Sequence, residues 1–170
     1  MLVARSWSQM GNNNCYNHFF NFFPGSTNIT STELLKYDNM LYRKLKRVAN
    51  HDGYSSLSVA LELEVLKKSL IQRPEVIHFW FADHDYHFSG YTARLTGAKL
   101  IGNIFFSIEE FDRRIPDKCH LENLDLIIAS GKKQMEYLSS FLPEEKIAFL
   151  PLGIDTDFYH PPEDHVIRIT

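Results

Sequence analysis

The chain has 170 residues, 44% of them hydrophobic and 23% charged, with a net charge of −3; that composition suits one folded domain with a real core and excludes a disordered chain. A pI near 6.2 provides no basic field for nucleic acid. The only cysteines, Cys15 and Cys119, form no CxxC pair, which excludes a disulfide framework and points to a reducing cytoplasm. No apolar run follows a basic start, so no signal peptide is read. The longest uncharged apolar stretch, 101–108, is too short to span a bilayer and leaves peripheral membrane contact open.

Residues 2–4 read as a first strand, followed by a polar turn at Gly11-Asn12-Asn13-Asn14. Residues 16–23, an aromatic run closed by Pro24-Gly25, read as a helix. The stretch 26–54 is hard to assign; its basic piece 43–47 fits a solvated helix face. A clear helix covers 57–71, with Val59, Leu63, Leu66 and Leu70 on its apolar stripe and Glu62, Lys67 and Lys68 off it. Pro74 stops it. Residues 76–81 read as a buried strand, and 91–96 as a short helix ended by Gly97. Strands follow at 99–106 and 124–129, the latter opened by Asp125. Ser130 reads as the N-cap of a helix to 142, with Met135, Leu138 and Leu142 on one face. A last strand covers 146–150.

Apolar strands alternating with helices predict an α/β domain: a Rossmann-like, doubly wound parallel sheet with helices on both faces. Ligands of such sheets sit at the carboxyl ends of the strands. The loops of interest therefore follow Arg5, Phe81, Phe106, Ala129 and Leu150. The domain is expected over 1–158. Residues 159–170, with Pro161-Pro162 and then an apolar run, read as a linker into a further strand.

The most specific stretch is 123–161. It comprises the strand Leu124-Asp125-Leu126-Ile127-Ile128-Ala129, Ser130, a helix, and Lys146-Ile147-Ala148-Phe149-Leu150-Pro151-Leu152-Gly153-Ile154-Asp155 with Phe158 and Pro161 beyond. It resembles the end of the N-terminal domain in family-four glycosyltransferases of the GT-B fold, with Leu152 where that family usually has Asn. Gly153 permits a turn and a close approach at the strand end, and Asp155 can accept turn amides.

The resemblance implies the N-terminal half of a retaining glycosyltransferase, moving a sugar from a nucleotide-sugar donor to a hydroxyl acceptor, glycan or lipid-linked. It implies no cofactor and no metal, and a donor site in a C-terminal domain of the same protein, so that residues 1–170 alone would be inactive. Gly153 and Asp155 would lie on the interdomain, donor side. The family's cleft loop would be Gly11, Asn12, Asn13, Asn14 and Tyr16, where helix-start amides suit anions.

Three His and two Asp lie within His78-Phe79-Trp80-Phe81-Ala82-Asp83-His84-Asp85-Tyr86-His87. The resemblance makes His84, Asp85 and Tyr86 acceptor contacts. The plainer reading of the same residues is a surface loop with a core His78. A metal-dependent hydrolase using Asp83, His84 and His87 is the alternative from another class, although the spacing differs from the HxHxDH pattern of metallo-β-lactamase-like enzymes. A non-catalytic glycan-binding module would use the same cleft. Many relatives carry a His after the strand that here ends in Phe105-Phe106. This chain has Ser107 instead, so no catalytic residue is assigned. Ser107 and Glu109 are the acceptor candidates there, and Glu109-Glu110 also suits a solvated helix start.

Overall fold

The computed structural model describes residues 1–5, 23–30, 40–49 and 51–151. The predicted helix at 16–23 falls, but for Phe23, outside these residues. So do the predicted site residues Gly11, Asn12, Asn13, Asn14, Tyr16, Gly153 and Asp155, and the linker 159–170.

Six strands form one sheet: β1 Leu2–Arg5, β2 Thr27–Thr30, β3 Val76–Phe79, β4 Lys99–Ile104, β5 Leu126–Ala129 and β6 Ile147–Phe149. Every pairing is parallel, in the order β2-β1-β3-β4-β5-β6. The chain goes outward from β1 to β2, then returns past β1 to β3, so the direction of winding reverses at β1. This is the Rossmann-like, doubly wound class the alternation predicts, in the flavodoxin-like order with one strand added.

The helices are α1 Met40–Ala49, α2 Ser56–Gln72, α3 Ala82–Asp85, α4 Gly90–Thr96, α5 Ile108–Arg114 and α6 Lys132–Leu138. Two 3-10 turns lie at Cys119–Asn123 and Glu144–Lys146. Helix α2 starts on a reciprocal cap: Ser55 Oγ accepts from Ser58 N and Ser58 Oγ from Ser55 N, both 3.2 Å, which satisfies two amides of the first turn. It ends at Arg73, a left-handed cap at φ 46° whose amide donates to Ser69 O at 2.9 Å, and Pro74 cannot continue the helix. Gly97 closes α4 with φ 74°, as predicted. The helix after β5 differs from expectation. Gly131, not Ser130, is its N-cap, because Gln134 folds back and its Oε1 takes the Ser130 amide at 2.8 Å.

Leu2, Ala4, Ile77, Phe79, Leu100, Ile104, Ile127 and Ala129 form one core with Leu61 and Val65 of α2, Phe111 of α5, Leu121 and Leu138. The stripe on α2 is not the predicted one. Val59, Leu61, Glu62, Val65 and Ser69 are buried, while Leu63 and Leu70 are 40% and 54% exposed. On the other face of the sheet the buried His78 Nε2 donates to Asn103 Oδ1 at 2.8 Å. No helix among the described residues is long and apolar enough to cross a membrane.

Candidate functional site at the carboxyl edge

The reversal at β1 sets β1 and β3 side by side, and a crevice at their carboxyl ends is where open α/β sheets bind ligands. Among the described residues, the loops after β3, β4 and β5 leave this edge and are tied together by buried polar side chains.

Asp83 is the first tie. It is fully buried, and its Oδ2 accepts from the amides of Phe105 and Phe106, both at 2.7 Å. Oδ1 is buried with no hydrogen-bond partner among the described residues. Burial pushes this carboxyl above its ordinary range, against the opposing pull of His84 and the two amides. Gln134 is the second tie. Its Nε2 donates to Phe106 O at 2.8 Å while its Oε1 holds Ser130 N. The loops after β3, β4 and β5 are thus one hydrogen-bonded ledge. Gly102 lets α3 settle onto β4, since a Cβ there would stand 2.6 Å from that of Ala82.

His84 is half-buried. Its ring meets the edge of Phe106 at 4.3 Å, and the Arg114 guanidinium lies 5.2 Å from the centre of the same Phe106 ring. An imidazole therefore stands at the carboxyl end of β4, where the sequence has no histidine of its own. Ser107 is exposed and caps α5, its Oγ accepting from Glu110 N at 3.2 Å. Glu109 is exposed in the first turn of α5, and its carboxyl is held below the ordinary range by its own backbone amide and by Ser107.

Of the predicted contacts, His84 lies against Phe106 of the ledge, and Ser107 and Glu109 follow it in the cap and first turn of α5. Asp85 and Tyr86 need correction, for both are wholly buried. Asp85 Oδ1 accepts from Ser58 Oγ at 3.3 Å, and Tyr86 donates to His120 O at 3.2 Å. The short helix α3 turns these two side chains inward, under α2 and onto Phe79. Nor are Asp83, His84 and His87 grouped as the hydrolase alternative expects. Asp83 is wholly buried with Oδ2 on two amides, His84 lies on Phe106, and the His87 ring stands 4.7 Å from that of His120. No group of three or more His, Cys, Asp or Glu among the described residues could hold a metal ion.

Sequence reasoning missed Gln134 and the links from Asp83 to the β4 loop. Neither has a local signal, since both bonds span more than twenty residues.

Compared with protein-family models, curated proteins and solved structures, the chain matches none.

Proposed function

We propose that this domain is the acceptor-side, N-terminal half of a retaining glycosyltransferase, which moves a sugar from a nucleotide-sugar to a hydroxyl acceptor. The carrying observation is the carboxyl-edge ledge, where Asp83 and Gln134 fix three loops beside the reversal at β1. The likeness of residues 123–161 to the end of such a domain adds to it. In this reading His84 supplies the polar acceptor contact that relatives take from a histidine after the equivalent strand. Loops fixed in advance suit this task, because catalysis by orientation needs groups that do not reorganise. The donor site belongs to a C-terminal domain, whose closure over the ledge would exclude water.

The test uses the protein together with that domain, offered labelled nucleotide-sugars and a panel of hydroxyl acceptors. His84→Gln is expected to lower kcat/KM for the acceptor by about 10- to 100-fold, the range of a lost polar contact in the transition state. Slow hydrolysis of the donor should be unchanged. Residues 1–170 alone should transfer nothing. Transfer by the isolated domain, or full acceptor turnover in the variant, would overturn the reading.

A further inference from the structure

Three histidines that the transfer reading does not use meet beside Tyr54 and Tyr86. The His120 ring lies 4.7 Å from that of His87 and 6.2 Å from that of His51. Tyr54 stands 6.0 Å from His51 and 5.7 Å from His87, and Tyr86 stands 5.8 Å from His120. His51 and His120 are 4% and 8% exposed. Both ring nitrogens of each, and Nδ1 of His87, are buried without a hydrogen-bond partner among the described residues. The carbonyls of Asp83 and Asp117 lie near His51 and His120, in neither case in hydrogen-bonding geometry.

Each histidine comes from a different segment: the 51–54 loop, the 86–89 loop and the 3-10 turn Cys119–Asn123. Among the described residues, Arg94 lines the cavity beside His87 and His120. His84 and Asp52 face His51, and Asp117 faces both His87 and His120. Asp52 and Asp117 are solvent-exposed, and Asp117 already accepts Cys119 N at 3.0 Å. The buried Glu62 accepts the backbone amides of His87, Phe88 and Ser89. Tyr54 donates to Glu62. Among the described residues, the carboxylates whose charge acts on these rings are Asp52 and Asp117, both at the surface.

We propose that His51, His87 and His120 form a proton-operated latch: neutral, the rings pack the three segments together, and protonated, they drive them apart. Three like charges without a buried partner cannot stay in one apolar cluster. A cavity of about 280 Å³ lined by His87, His120, Arg94 and Asp117 borders the cluster. The output reaches the ledge through Gly53, where a Cβ would stand 3.1 Å from His51 Nε2, 3.2 Å from Asp83 O and 3.4 Å from the Phe106 ring.

The sign follows from the direction of each shift. Burial, then the neighbouring histidines, lower His51 from 6.5 to about 4 and His120 to about 3. Burial also lowers His87. Folded values below the free value mean that the latch is fully closed above pH 6.5 and loosens as pH falls from there. Each ring that gains a proton on opening shifts the opening equilibrium about tenfold per pH unit. Glu62 acts in the opposite sense, since burial raises its value.

Amide hydrogen exchange of the whole chain from pH 7.5 to 5, corrected for intrinsic rates, tests this. The hydrogen-bonded amides of Asp52, Tyr54, His87, Phe88, Ser89 and Leu121 should open at least about tenfold more per pH unit below 6.5. Those of β4 should not change. His120→Gln should flatten the slope by about one proton. Should that variant fail to fold, imidazole C–H titration in the unaltered protein decides. Three histidines titrating well below 6.5 support the latch. Ordinary titration of all three, or unchanged protection at these six amides, overturns it.

Discussion

Glu62 shows how far a single residue can mislead a reading by pattern. A carboxylate in the middle of a helix marks the solvent side in an amphipathic pattern, and the sequence reading puts it there. It is instead 5% exposed. Its two oxygens take the amides of His87, Phe88 and Ser89 at 2.8 to 3.0 Å, and Tyr54 donates to it as well. Burial raises its pKa, and these donors pull it back down. Each partner donates and none accepts, so the geometry serves the ionised form. Glu62→Ala would leave several buried donors unpaired at about 1–3 kcal/mol each. We expect a loss of about 3–5 kcal/mol in urea unfolding. Tyr54→Phe removes one donor and should cost only about 1 kcal/mol. Equal losses in the two variants would show that the carboxylate does not organise the 86–89 loop.

At the scale of elements, legibility followed the strength of the local signal. Strands β3, β4 and β5 were readable because each is mostly apolar, with His78 in β3 and Lys99 and Asn103 in β4 as the polar exceptions. Their predicted ends ran two residues long, at Trp80-Phe81 and Phe105-Phe106, because the apolar run continues into the loops of the ledge. Strand β2 was not readable: Thr27–Thr30 holds one buried apolar residue, Ile29, in a polar stretch. Helices α3 and α5 have four and seven residues, too short to show a period. What joins α3 to the sheet is a glycine. Gly102→Ala would place a methyl 2.6 Å from Ala82 Cβ and 3.0 Å from Leu124 Cδ1. Neither Ala82 nor the strand can yield without moving α3, and overpacking of this kind costs about 1–3 kcal/mol. The expected result is a lowered denaturation midpoint together with shifted amide resonances at Phe105 and Phe106, since α3 carries Asp83. A variant as stable as the parent, with those resonances in place, would mean that α3 is not held against β4 by close contact.

At the scale of the molecule, the topology explains why the position of the candidate site was legible while its membership was not. The carboxyl edge follows from parallel winding alone, which any reading of alternating helices and apolar strands supplies. Which side chains face outward there depends on α3, a single turn that sends Asp85 and Tyr86 inward and leaves His84 at the surface. The same topology makes a last prediction. Strands β1, β3 and β4 each have a strand on both sides, while β2 and β6 close the ends of the described sheet. Residues of β6 are half-buried or exposed, with Phe149 at 38%, whereas Ile77, Phe79 and Leu100 are wholly buried. Amides in the centre should therefore exchange only when the whole domain unfolds, and those of β6 through local fraying. At neutral pH the protection of residues 77–79 and 100–104 should exceed that of 147–149 by at least about 100-fold, a difference of about 2.7 kcal/mol in opening free energy. The ledge is bonded to the central strands, so Phe105 and Phe106 should follow the slow group and not the edge. If they exchange as fast as β6, the ledge is not the fixed platform that the transfer reading requires, and the acceptor site would have to be sought in loops that move.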